Sequence, residues 1–168
     1  MQTNTIYRTI FSILLFLIVA SCISSKDGSR KVSITETNYG LYKAVAKGQV
    51  DNEKSATGKT TISENMGFYE TTTTVPLTKG IRFGVEFIVN GKADKSMEIE
   101  VVWTYPQKIK NEKGEEYAQY KHRSIKYTNT KTWTGYIINK DYEMVKGVWL
   151  LEIFYKNKKL YQKEFNVQ

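Results

Sequence analysis

The 168-residue sequence predicts an all-β fold, an immunoglobulin-like antiparallel β-sandwich of about seven to nine strands, with a small β-barrel as the alternative. Three observations carry this. No stretch outside the first residues sustains an apolar period of 3.6. Tyr, Thr, Val, Ile, Phe and Trp recur in short runs, and these side chains suit pleated, half-buried surfaces. Gly, Pro and Asn punctuate the runs at short intervals, as hairpin-connected strands require.

The runs follow in order. Residues 32–46 read as a first strand, interrupted at Tyr39-Gly40, and residues 49–59 read as a polar loop. Residues 60–75 are rich in β-branched side chains, and Pro76 ends them because it cannot donate to a ladder. Phe83, Val85, Phe87 and Val89 alternate with Arg82, Gly84 and Glu86, which places one row on a buried face. Asn90-Gly91 is a turn signal. Met97, Ile99, Val101, Trp103 and Tyr105 alternate against Glu98, Glu100 and Thr104, and Pro106 is expected to close that strand. Strands with a wet face are predicted over 117–128 and 133–138. Residues 147–155 are the most apolar run after the N-terminal segment, and their aromatic content favours a central strand. Residues 156–159 turn the chain, and 160–167 return as a hairpin partner with Tyr161, Phe165 and Val167 on one face. Trp149 reads as a core anchor.

The motifs Tyr39-Gly40-Leu41-Tyr42, residues 76–87 from Pro76 to Phe87, Tyr105-Pro106, residues 143–149 and residues 159–167 occur in an order that resembles the bacterial family called domain of unknown function 3859. Lys146 departs from it, standing where a proline is expected before Gly147. The resemblance implies a β-sandwich and exported or envelope members. It implies no activity, so it brings no catalytic residues with it.

The first residues form a separate unit. Arg8 precedes an apolar run from Ile10 to Ala20, too short to span a bilayer comfortably, and small residues follow. Val19-Ala20-Ser21-Cys22 resembles the lipobox of bacterial lipoproteins. The resemblance implies cleavage before Cys22 and a diacylglycerol thioether on its sulfur, and two acyl chains anchor a protein stably. Cys22 is the only cysteine, so no intramolecular disulfide forms, and acylation would remove a free thiol from an oxidising compartment. The expected organisation is a signal peptide over 1–21, a lipidated flexible tether over 22–31 and a single β-domain over 32–168. Ile23 rather than aspartate after the cysteine favours the outer membrane over inner-membrane retention, on its periplasmic or surface face.

Composition excludes much chemistry. The formal charge is +8, which suits anionic lipid or acidic polysaccharide, while nucleic acid is not expected outside the cytoplasm. His122 is the only histidine, and its basic run predicts a solvated side chain. A Cys/His zinc site is ruled out by count, no phosphate-cradling loop is present, and no cofactor or metal is expected. Glu98 and Glu100 share a strand face but read as solvated. The chain therefore reads as no enzyme. It reads as a binding module for an envelope protein or an acidic polysaccharide, with two alternatives behind it, an accessory domain of an envelope assembly and an enzyme on envelope polymers. Its candidate patch interleaves aromatics and cations: Tyr117, Tyr120, Lys121, Arg123, Lys126, Tyr127 and Tyr136, near Lys131. Oligomeric state has no signal in the sequence.

Overall fold

The computed structural model describes residues 31–93 and 95–168. The signal peptide, Cys22 and the tether before Lys31 lie outside the described residues. Nine strands follow one another: β1 Ser33–Asp51, β2 Lys59–Glu70, β3 Thr74–Val75, β4 Arg82–Asn90, β5 Ser96–Lys110, β6 Glu116–Tyr127, β7 Lys131–Ile137, β8 Gly147–Tyr155 and β9 Lys158–Val167. A single 3-10 turn, Asp141–Glu143, precedes β8.

The strands form two sheets, β2-β1-β4-β7 (sheet A) and β3-β9-β8-β5-β6 (sheet B). Every ladder is antiparallel except the short β3–β9 pair. No ladder joins an edge of one sheet to an edge of the other, so this is the sandwich and not the barrel. The predicted central strand, β8, lies at the middle of sheet B.

The alternating rows face each other across the interior. Phe83, Val85, Phe87 and Val89 from β4 meet Ile99, Val101 and Trp103 from β5 and Trp149, Leu151 and Ile153 from β8, all with 0% exposure. Phe83 is the hub, with ring centroids 5.3 Å from Trp103, 5.9 Å from Trp149 and 5.2 Å from Phe165. The edge between β1 and β9 is closed by polar groups instead. There Glu36 accepts from the Tyr161 hydroxyl and pairs with Lys163 at 2.9 Å, whose ammonium lies 3.2 Å from the Tyr39 ring centroid. Among the described residues the buried apolar core comes from 41–167, with Val32, Ile34 and Tyr39 packed against it, so the domain carries its own core.

Two strand ends differ from expectation. β1 is unbroken through Tyr39-Gly40 and continues to Asp51. Gly40 sits at φ +125°, and a Cβ there would lie 2.0 Å from the Glu70 carbonyl oxygen, so glycine lets β2 approach without breaking the strand. The polar segment 49–51 is held by its ladder with β2 rather than by burial. Pro106 lies inside β5, not at its end. The β5–β6 register is interrupted between Thr104 and Ile109, so the missing N–H costs no ladder bond.

Candidate functional site: a hydroxyl-lined cleft beneath the β1–β2 ribbon

β1 serves two partners in turn. Ser33–Leu41 pairs with β4, and Leu41–Asp51 pairs with β2. The second half therefore leaves the sandwich as a two-stranded ribbon. Its tip returns to sheet B, where Asn52 Nδ2 donates to the Lys121 carbonyl at 2.9 Å, the Lys121 N–H donates to the Lys54 carbonyl at 3.3 Å, and Asn111 Nδ2 donates to the Ala56 carbonyl at 3.2 Å. Ser55 and Ala56 are buried by this clasp.

The arch leaves a cleft of about 240 Å³. The ribbon contributes Gln49, Ser55, Thr57, Lys59, Thr60, Thr61 and Ser63. Sheet A contributes Tyr42, Arg82, Trp133, Gly135 and Ile137, and the interior contributes Tyr120, Tyr136 and Glu143. Gly135 makes the arrangement possible, because a Cβ there would meet the Tyr42 hydroxyl at 2.4 Å. The Tyr42 ring is thus laid across sheet A beside Phe68 and Trp133.

Electrostatically the cleft has one uncommitted charge. Arg82 alternates with the inward Phe83 and faces outward, and no carboxylate lies within ion-pair distance of it among the described residues. Burial pushes the Tyr42 hydroxyl up to about 12, opposed by the Arg82 guanidinium beside it. Lys59 is paired with Asp51, and Lys140 with Glu112 at 3.0 Å. Glu143 is buried, and its carboxylate is spent on three donors: the Tyr136 hydroxyl at 2.6 Å and the Asn139 and Lys140 N–H groups at 2.9 Å each. Tyr136 in turn shares a hydrogen bond of 3.1 Å with Tyr105. Burial, then the neighbouring Tyr105 and Glu143, raises the Tyr136 hydroxyl well above its ordinary value.

The seven patch residues do not share one surface. Tyr120 and Tyr136 are core residues, 8% and 7% exposed, and both reach the cleft from inside. Lys126 turns inward with Tyr120, and its Nζ donates to the Trp133 carbonyl at 3.1 Å. Its burial lowers its pKa. Lys121, Arg123 and Tyr127 lie on the opposite face of β6, and Tyr117 packs at the strand's start with its hydroxyl on Glu115. Glu98 is paired with Arg123 at 3.3 Å on the exposed face. Arg82, Tyr42 and the ribbon hydroxyls were not legible as a site, because β1 and β4 become neighbours only through the long-range ladder.

His122 corrects its expected solvation. The strand period places it on the Tyr120 face, where the two rings stack at 5.2 Å and its Nδ1 is enclosed without a partner. Burial, aided by the Lys126 charge, lowers its pKa to about 4. The folded value is below the unfolded value of about 6.5, so the unfolded chain takes up the proton first. Stability is complete above pH 6.5 and falls as the pH drops towards 4, by about 3 kcal/mol in all. Urea titrations at stepped pH are expected to show this slope, and His122→Gln is expected to flatten it. An unchanged slope in the variant would remove His122 from the account.

Among solved structures, an immunoglobulin-like protein of Pseudomonas aeruginosa is similar with a TM-score of 0.61 at 20% identity, covering 84% of this chain and 99% of that one. The likeness shows the fold. A DNA glycosylase of Pseudomonas fluorescens (12% identity, 58% of this chain and 28% of that) and a β-glucosidase of Listeria innocua (7%, 83% and 16%) both reach a TM-score of only 0.37 and carry no argument. No curated protein matches. A family model matches residues 30–167. The immunoglobulin-like sandwich thus carries the sequence pattern of one family over nearly its whole described length, and the chain belongs to the family domain of unknown function 3859.

Proposed function

We propose that this is a non-enzymatic binding module of the bacterial envelope, anchored through lipid on Cys22, that holds an acidic sugar of an envelope polysaccharide in the cleft beneath the β1–β2 ribbon. The observation that carries the reading is the Arg82 guanidinium, without an acid partner among the described residues, in a cleft whose ribbon wall is rich in hydroxyls. A guanidinium binds a carboxylate through two parallel N–H donors. Thr61 and Ser63 offer the exchangeable donors and acceptors that sugar hydroxyls need, Trp133 offers a ring face, and Ser55 and Thr57 spend their hydroxyls on each other and on the Lys59 backbone, which stiffens the wall. A cleft of about 240 Å³ suits one sugar unit better than a folded partner. The only carboxylate lining it among the described residues, Glu143, is already saturated by donors, which supports binding over hydrolysis.

Calorimetry of the domain 31–168 against uronic-acid oligosaccharides and their neutral counterparts tests this. Acidic oligosaccharides are expected to bind preferentially, and Arg82→Ala to weaken them about 30-fold, from the loss of a charge-assisted pair of about 2 kcal/mol. Equal affinity for neutral sugars, or an indifferent Arg82→Ala, would overturn the reading. For the anchor, metabolic labelling with an alkyne fatty acid should tag the wild type and leave Cys22→Ala unlabelled.

One feature favours the accessory-domain alternative. β7 pairs only with β4. The Trp133 carbonyl points away from β4 to Lys126, and by the two-residue period the backbones of Gly135 and Ile137 face away too. A partner strand could add there.

A further inference from the structure

We propose that the end of the sandwich where the chain begins β1 is a docking face for a membrane surface of anionic phospholipid. The topology gathers four segments at that end. Lys31 directly precedes β1, and Ser33 pairs with Asn90 at the end of β4. The β4–β5 loop carries Lys92 and Lys95. The start of β5 pairs with Tyr127 at the end of β6, and the β8–β9 turn, with Lys156 and Lys158, lies at the same end because Phe154 pairs with Glu100.

This end is built. Thr128, itself buried, donates through its hydroxyl to the Lys92 carbonyl at 2.7 Å and to the Lys95 carbonyl at 3.1 Å, and it receives the Lys95 N–H at 3.3 Å. Lys156 and Asn157 both take the left-handed conformation of a tight hairpin turn, at φ 47° and 62°. The lysines are therefore presented from fixed backbone.

Two independent features point to a lipid surface. Lys31, Lys92, Lys95, Lys156 and Lys158 are exposed, and none has a carboxylate within ion-pair distance among the described residues. At the opposite end Lys79, Lys108 and Lys140 are each paired with an acid, while Lys110, Lys113 and Lys146 stand exposed there without one among the described residues, so it is the apolar side chains beside the lysines that set this end apart. The loop's own carboxylate, Asp94, lies outside the described residues. The second feature is apolar. The two most exposed large hydrophobic side chains, Tyr127 at 69% and Ile125 at 67%, stand on β6 at this same end. Lysines beside an aromatic and an aliphatic side chain match the headgroup region, where cations meet phosphate and amphipathic rings settle at the boundary. The inference is separate from the cleft, and it holds whether or not Cys22 is acylated, because the lysines act on any anionic bilayer.

Vesicle co-sedimentation of the domain 31–168 tests it, since that segment carries its own core. Binding is expected to vesicles of phosphatidylcholine with about one third phosphatidylglycerol, to fall steeply with salt, and to be weak on phosphatidylcholine alone. The triple variant Lys92→Glu, Lys95→Glu, Lys156→Glu is expected to lose binding at least 30-fold. Lys110→Glu, Lys113→Glu, Lys146→Glu changes the net charge equally at the far end and should lose less than threefold. A second readout leaves the lysines in place. The segment 31–168 has no cysteine, so an environment-sensitive dye on Ala93→Cys should shift to the blue on anionic vesicles while one on Lys113→Cys should not. Equal loss in both triple variants, equal dye shifts at both ends, or no binding to anionic vesicles would overturn the proposal.

Discussion

Replacing Phe83 by alanine is expected to cost about 4 kcal/mol, the largest single-residue loss in the domain. The ring is fully buried and touches Trp103, Trp149, Tyr136 and Phe165, from β5, β8, β7 and β9. Its removal leaves a void bounded by four aromatic rings whose positions are fixed by four strands, so the walls cannot collapse inward. The loss combines transfer, cavity and edge-to-face terms. Phe83→Leu keeps most of the volume and should cost nearer 1.5 kcal/mol. Urea midpoints at constant slope measure both. A loss below about 1 kcal/mol for alanine would mean that the two sheets repack around the void.

Glu143→Ala comes next, at about 3 kcal/mol. It strands the Tyr136 hydroxyl and the Asn139 and Lys140 N–H groups, all of which now donate to one buried carboxylate. Glu143→Gln separates charge from shape. Its amide oxygen still accepts from the two backbone donors, and its NH₂ group can donate to the Tyr136 hydroxyl, which then turns its proton to Tyr105. A cost of about 1 kcal/mol is expected. Equal losses for the two variants in chemical denaturation would show that the negative charge itself, and not the satisfied donors, holds the turn.

The parts of this structure governed by a two-residue period were readable from sequence. The rows on β4, β5 and β8 are buried as their alternation predicts, and Trp149 is a core anchor, fully buried. The same rule misled only where it was set aside. His122 sits two residues from the buried Tyr120 and shares its face, although its immediate neighbours are charged. The cleft was not readable for a different reason. Its parts come from β1, β2, β4, β6 and β7, and Gly135 acquires a purpose only once Tyr42 lies over it. The sequence marks Tyr120 and Tyr136 as aromatic neighbours of lysine, and both do reach the cleft, but as its inner wall rather than as an exposed platform.

β1 is one uninterrupted strand that belongs to the sandwich along its first half and to the roof of the cleft along its second. Its ladder with β2 shifts register between Leu41 and Tyr42, between Lys43 and Val45, and between Ala46 and Gly48. Bulges of this kind bend a strand and loosen its pairing locally. The roof is therefore a beam fixed at one end to the sandwich, hinged along these three joints and pinned at its tip by the hydrogen bonds of Asn52 and Asn111. Releasing the pin lets the beam lift about the joints while the ladder of Ser33–Leu41 with β4 keeps its register. Admitting a ligand wider than the slot therefore costs the part-buried hydrogen bonds of Asn52 and Asn111 and the burial of Ser55 and Ala56, with the aromatic hub undisturbed.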